Sequence, residues 1–262
     1  PSKFSVTEAP YDIVRKMRAS VYVLAPMITR LREARVSLPG GCAIGARPID
    51  LHIKGLEGLG AEVTLDHGYI VARNTNMQGA EVALTGPSGT SVGATANTMM
   101  VAALTPGITT IRGAAREPEI VDLAGYLNAM GARVEGAGSS TIKIEGVKRL
   151  DGVKYKIIAD RIEAGTFFAA AAITEGEIVV RGARIEQLES VIDKLGEMGV
   201  YVSAENGNVR VACDGPPRAV PIRTLPYPGF PTDMQAQFMA LLCLADGESQ
   251  ITETIYPERF IH

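Results

Sequence analysis

The chain repeats itself, and that repetition constrains its fold more than any single motif. A helix-ending phrase occurs as Gly58-Leu59-Gly60-Ala61-Glu62-Val63, as Ala129-Met130-Gly131-Ala132-Arg133-Val134 and as Glu197-Met198-Gly199-Val200-Tyr201-Val202, its third residues 71 and 68 positions apart. A second phrase occurs as Thr105-Pro106-Gly107-Ile108, as Thr174-Glu175-Gly176-Glu177 and, more loosely, as Ala245-Asp246-Gly247-Glu248, with glycines 69 and 71 apart. A fixed period of this kind marks copies of one supersecondary unit, stacked to bury what a single copy cannot. In both phrases a stretch with helical apolar spacing stops at a Gly able to take the left-handed C-cap, and an alternating strand follows. Leu123, Leu127 and Met130, and again Val191, Leu195 and Met198, mark the inward faces of two such helices. Ile142, Ile144 and Val147 read as a strand. One repeat therefore holds two helices and about four strands joined by short connections, with the helices' apolar faces turned to a shared core.

About two repeats precede Tyr155, and about one and a half follow Ile158-Ala159-Asp160. This predicts two domains, residues 1–158 and 159–262. Pro216-Pro217 and the stretch from Pro221 to Pro231 read as a loop within the second.

Composition narrows the function classes. With 46% hydrophobic and 21% charged residues over 262 positions the chain can build sizeable cores, which excludes a disordered protein. A formal net charge of -3 supplies no positive field for holding nucleic acid. Three cysteines, Cys42, Cys213 and Cys243, cannot all pair within the chain and show no zinc spacing, which points to a reducing, cytoplasmic compartment. His52, His67 and His262 are too scattered to suggest a metal site. The longest apolar runs, such as Phe167 to Ile173, fall far short of a membrane span. Arg15 to Leu24 imitates a signal peptide, but Pro26 and the basic residues that follow favour an amphipathic helix.

Three segments could carry chemistry. Ser37-Leu38-Pro39-Gly40-Gly41-Cys42-Ala43-Ile44-Gly45-Ala46-Arg47-Pro48 places one thiol in a glycine-rich loop, with a cation and a helix start close behind. That is where a thiolate is stabilised; an incidental free Cys in a loop fits the same spacing. Gly86-Pro87-Ser88-Gly89-Thr90-Ser91-Val92-Gly93-Ala94-Thr95 leads from a strand into a helix beginning near Gly93. It matches neither common nucleotide fingerprint, yet small residues at a helix start can present backbone N–H groups to phosphate; taken alone, the segment reads first as a plain capped helix start. Pro228-Gly229-Phe230-Pro231-Thr232-Asp233-Met234-Gln235 puts an Asp in a first helical turn with Thr232 as its N-cap, a capping arrangement that could also serve as a general base. Arg116-Glu117-Pro118-Glu119 and Asp160-Arg161-Ile162-Glu163 read as charged helix starts, and Cys213 and Cys243 as core.

Taken in order along the chain, Lys16-Met17-Arg18-Ala19-Ser20, the Cys42 loop continued through Ile49-Asp50-Leu51-His52, Ser91-Val92-Gly93-Ala94-Thr95, Ala115-Arg116-Glu117-Pro118-Glu119, Asp160 to Phe167, Phe230 to Gln237 and Glu258-Arg259-Phe260 resemble the UDP-N-acetylglucosamine enolpyruvyl transferases. The Cys loop distinguishes that family from the related enolpyruvylshikimate phosphate synthases, and from relatives acting on another alcohol. The resemblance implies an inside-out α/β barrel of repeated βαβαββ units in two domains closing over a cleft. It further implies transfer of the enolpyruvyl group of phosphoenolpyruvate to the 3'-hydroxyl of UDP-N-acetylglucosamine with release of phosphate. That reaction opens peptidoglycan synthesis and so bears on cell shape and division. No metal or organic cofactor is implied, because proton transfer and electrostatic stabilisation suffice.

Carried over residue by residue, the resemblance makes Cys42 the thiol that protonates or captures the enolpyruvyl carbon, the target of fosfomycin, on a loop acting as a lid. Asp233 would take the hydroxyl proton. Arg18 and Arg47 would hold phosphoenolpyruvate. Arg47, Pro48, Ile49, Asp50 and Leu51, with Ser91, Val92 and Gly93, would grip the nucleotide, joined by Asp233 and by Ile255 at the sugar, and Arg259 would support the substrate. Where the family often has Asn this chain has Glu258, and where some members carry Lys it has Gly89. The family's opening strand with its Lys-Asn pair, and its segment beyond Arg259, have no counterpart here. The chain is thus expected to be a fragment of such an enzyme, the alternative being an inactive piece that only binds UDP-N-acetylglucosamine.

Overall fold

The computed structural model describes residues 6–38, 48–87 and 89–262. The chain forms two compact units, residues 1–157 and 158–262.

The first unit contains the repeat twice. In the first copy, strand Glu8–Ala9 leads through helix α1 (Tyr11–Val14), a 3-10 helix Arg18–Val23 and helix α2 (Leu24–Leu31) to strand Glu33–Ser37, which it pairs in parallel. Helix α3 (Asp50–Gly58) then leads to the antiparallel strands Ala61–Asp66 and Tyr69–Asn74. The second copy runs through strand Glu81–Ala83, helix α4 (Val92–Ala102), strand Ile108–Arg112, helix α5 (Pro118–Ala129) and strands Arg133–Glu135 and Thr141–Glu145. Both sheets have the same order: the first strand lies parallel to the second, the fourth pairs antiparallel with the second, and the third takes the outer edge. This is the βαβαββ unit.

Burial explains why helices lie inside and sheets outside. Strand Thr141–Glu145 alternates, with Ile142 and Ile144 fully buried between exposed Lys143 and Glu145. Its sheet has one wet face, whereas α4 is buried almost all round, from Ala94 to Met99 and again at Val101 and Ala102. A helix without a polar stripe belongs at a core's centre. It packs tightly against α3: a Cβ added at Gly55 would lie 2.1 Å from the Thr98 hydroxyl oxygen.

The second unit holds the remainder of the pattern. Helix α6 (Arg161–Ile173), strand Glu177–Arg181, helix α7 (Glu189–Glu197) and strands Tyr201–Glu205 and Asn208–Ala212 repeat the last five elements of the unit, with the 208–212 strand central. Strand Ile222–Arg223, helix α8 (Gln235–Leu242) and the parallel strand Ile251–Thr252 repeat its first three. Their core is built on Phe168, Phe238, Val191, Leu195 and Leu241, with Phe230 edge-on to Phe238.

The helix ends bear out most of the repeat reading and correct part of it. Gly60, Gly131 and Gly199 all have positive φ, at 88°, 99° and 91°. After α5 and α7 the chain closes with paired reverse hydrogen bonds, Ala132 N–H to Leu127 O with Gly131 N–H to Asn128 O, and Val200 N–H to Leu195 O with Gly199 N–H to Gly196 O. The same motif ends α6, but the left-handed residue there is Glu175, at φ 49°, and not Gly176. Val147 lies beyond the strand that ends at Glu145, its N–H turned to Ala103 O. Met130 is half-buried, and Ile120 and Ala124 join Leu127 in the inward face of α5. Cys213 is buried as expected, whereas Cys243, read as core, is exposed at the C-cap of α8.

Candidate functional site

One rule places the described candidate residues: each follows the first or second strand of a repeat, beyond the end of a parallel strand. Arg18 follows strand 8–9, Pro48 to Leu51 follow strand 33–37, and Ser91 to Gly93 form the N-cap and first residues of α4. Asp233 precedes α8, and Ile255 and Arg259 follow strand 251–252. Helix N-termini carry unbonded N–H groups and the positive end of the helix dipole, so such an edge suits anionic ligands. Cys42 and Arg47 lie outside the described residues.

In the first unit the two helix starts and the 3-10 segment are tied together by a polar knot that sequence reading missed. Asn97, buried within α4, donates one amide hydrogen to Val21 O at 3.1 Å and the other to His52 Nδ1 at 2.9 Å. Nδ1 is thereby the unprotonated nitrogen, and the ring is neutral. Burial holds the His52 pKa down, from 6.5 to about 4, helped by the charge of Arg18 and opposed by Asp50. The ring lies so close under Gly93 that a Cβ there would come within 2.9 Å of Cε1 and Nε2. Only glycine lets α4 start at this depth. Arg18 donates from Nη2 to Pro48 O at 3.4 Å, so a guanidinium stands at the start of α3.

The N-terminus of α4 is built as expected. Ser91 caps it, its Oγ accepting from Ala94 N–H at 3.2 Å, which leaves the N–H groups of Val92 and Gly93 at the helix mouth. Leu51, half-buried in the first turn of α3, packs close to Gly86 just before it. Asp50 opens α3, with Ile49 as a cap that makes no side-chain bond. The structure thus brings Arg18, Pro48, Asp50 and Leu51 beside the start of α4.

In the second unit Asp233 lies on a 3-10 turn, Thr232–Met234, and α8 starts only at Gln235. Thr232 is therefore not a helix cap; its hydroxyl is used elsewhere. Arg259 Nη1 donates to Asp233 Oδ1 at 2.7 Å and to Thr232 Oγ1 at 3.1 Å. The Arg259 side chain is 14% exposed and that of Asp233 58%, so a covered cation anchors a carboxylate that stays reachable. Ile255 is half-buried in the turn that leads to Arg259. The other two charged starts behave as read: Asp160 caps α6 by accepting from Ile162 and Glu163 N–H, and Pro118 opens α5 behind Glu117.

Among the described residues no group of three or more His, Cys, Asp or Glu is placed to hold a metal ion, and no helix is long and apolar enough to cross a membrane.

Comparison with known proteins gives this geometry its class. The chain superimposes on the enolpyruvyl transferase NikO from Streptomyces tendae with a TM-score of 0.85 over 98% of its length and 61% of that chain, at 23% identity. It superimposes on an EPSP synthase from Acinetobacter baumannii with a TM-score of 0.61 over 89% of its length and 54% of that chain, at 22% identity. The fold is that of the enolpyruvyl transferases. The model of the EPSP synthase (3-phosphoshikimate 1-carboxyvinyltransferase) family matches residues 1–262, and the chain belongs to that family. Its sequence is 53% identical over 255 residues to UDP-N-acetylglucosamine 1-carboxyvinyltransferase 1 of Caldanaerobacter subterraneus subsp. tengcongensis, covering 97% of this chain and 61% of that protein. It is 55% identical over 257 residues to UDP-N-acetylglucosamine 1-carboxyvinyltransferase of Anaeromyxobacter sp., covering 97% of this chain and 60% of that protein. The chain thus spans about 60% of the length of these relatives.

Proposed function

We propose that this chain carries out, as part of the protein it represents, enolpyruvyl transfer from phosphoenolpyruvate to the 3'-hydroxyl of UDP-N-acetylglucosamine. The observation that carries the proposal is Asp233, a reachable carboxylate fixed at 2.7 Å by the covered guanidinium of Arg259. A carboxylate so held and still exposed is available to a hydroxyl proton as a general base. The relatives' names supply the substrate.

In the addition step the sugar 3'-oxygen bonds to C2 of phosphoenolpyruvate while its proton passes to Asp233, and C3 gains a proton from Cys42. In the elimination step C3 returns a proton to the Cys42 thiolate, the bond between C2 and the phosphate oxygen breaks, and inorganic phosphate departs with the proton that Asp233 had taken. Arg18 and Arg47 hold the phosphate and carboxylate of phosphoenolpyruvate, a task for permanently charged, planar donors. Pro48, Ile49, Asp50 and Leu51 grip the nucleotide, its diphosphate lying at the helix mouth formed by Ser91, Val92 and Gly93. Ile255 meets the sugar. The division of labour follows the two domains: the first supplies the nucleotide elements and the Cys42 loop, the second the base. The reaction takes place in the cytoplasm, as the unpaired cysteines suit, and serves peptidoglycan synthesis.

Intact-mass measurement after exposure to fosfomycin with UDP-N-acetylglucosamine tests the reading. One alkylation, accelerated by the nucleotide sugar and lost in Cys42→Ala, is expected. Labelling indifferent to the nucleotide sugar, or persisting in Cys42→Ala, would contradict it.

A further inference from the structure

Glu253 stands at the end of strand Ile251–Thr252, and no motif drew attention to it. Its carboxylate gathers four donors. Oε1 accepts from the Thr224 hydroxyl at 2.8 Å, from Ile255 N–H at 2.7 Å and from Tyr256 N–H at 2.9 Å. Oε2 accepts from the Thr232 hydroxyl at 2.9 Å. Thr224 is fully buried at the end of the parallel partner strand, and its hydroxyl oxygen takes Thr254 N–H at 2.9 Å. One side chain thus joins both strand ends, the turn carrying Asp233, and the turn leading to Arg259.

The direction of these bonds matters. Arg259 Nη1 donates to Thr232 Oγ1, and the Thr232 hydroxyl must then point its own hydrogen at Glu253 Oε2. Arginine has no acceptor, so the chain Arg259 to Thr232 to Glu253 has one polarity, and it ends on an oxygen. An amide cannot replace that end. If Gln presented its NH2 to Thr232, the hydroxyl hydrogen would be driven against Arg259; if it presented NH2 to the backbone side, donors would face Ile255 and Tyr256 N–H. We infer that Glu253 is the positioning residue of the Asp233–Arg259 pair: its carboxylate sets the Thr232 hydroxyl that, with Asp233, fixes the Arg259 guanidinium. The inference rests on the reading of Asp233 as the base only for its effect on turnover.

The test compares wild type, Glu253→Gln, Thr232→Val and the double variant, each first checked for native circular dichroism. In steady-state phosphate release, Glu253→Gln and Thr232→Val each lower kcat by roughly ten- to a hundredfold, the loss of a charge-assisted hydrogen bond. KM for phosphoenolpyruvate changes by less than about twofold, as expected for a group that acts on the hydroxyl-activating side. The double variant falls no lower than the worse single, because both act through one hydroxyl. Thr232→Ser restores activity. Unchanged kcat in Glu253→Gln, or losses that multiply in the double variant, would overturn the inference. Side-chain 15N relaxation of Arg259 in the same proteins decides the question without turnover: the guanidinium is as rigid as the backbone in wild type and released in both single variants. Equal rigidity in all of them overturns the positioning role, whereas a folded wild type that releases no phosphate counts against the functional reading alone.

Discussion

His52 shows what a single buried side chain does for the site. It accepts from Asn97, lies under Gly93 and faces Arg18 from the first turns of α3. Its folded pKa of about 4 lies below the ordinary 6.5, so the unfolded chain binds the proton more readily than the native one. Stability from this group is complete above about pH 6.5 and is lost as pH falls towards 4, by about 3 kcal/mol at most. Urea unfolding between pH 7 and 4 should show that loss, and His52→Gln should flatten it; equal slopes in the two proteins would show that His52 does not titrate on unfolding. Sequence reading placed Asp50 and Ser91 at helix starts, because capping and charge patterns are local, whereas Arg18 entered through the resemblance alone and Asp233 lies on a 3-10 turn just ahead of α8. It passed over His52, Asn97 and Glu253, because their partners lie 45, 76 and 29 positions away. The one available signal was Asn97 itself, a lone amide among the small and apolar residues from Ala94 to Ala103, where the other polar groups are the hydroxyls of Thr95 and Thr98.

At the scale of elements, the glycine phrases made the repeat legible: a residue with positive φ at a helix end is a steric demand that sequence records directly. The exception follows from the same physics. In the copy Thr174-Glu175-Gly176 the left-handed position falls one residue early, on Glu175, at φ 49°. A non-glycine residue there is strained, and nothing in the local sequence announces which of two neighbours takes the turn. Glu175→Gly is expected to stabilise the protein by about 0.5–1 kcal/mol, the relieved strain exceeding the added freedom of the unfolded chain. Chemical denaturation measures it, and a destabilised variant would show that Glu175 makes compensating contacts. The late start of α8 was illegible for a different reason. Thr232 looks like a cap, but its hydroxyl is drawn to Glu253, 21 residues on, and the first turn tightens into a 3-10 helix.

At the scale of the whole molecule, the repeat places each described candidate residue beyond the end of a parallel strand, so copies of one unit present helix N-termini in one domain and an anchored carboxylate in the other. Two complete units and parts of two more make up the chain, and helices without polar stripes, such as α4, sit within the sheets that cover them. The family membership and the relatives' names support the proposed reaction, in which Asp233 is assigned the role of base. The most direct test is inorganic phosphate release from phosphoenolpyruvate in the presence of UDP-N-acetylglucosamine, comparing wild type with Asp233→Asn. Wild type should turn over, and the variant should lose about a hundredfold or more in kcat while keeping its fold, as removal of a general base requires; turnover undiminished in Asp233→Asn would contradict the account.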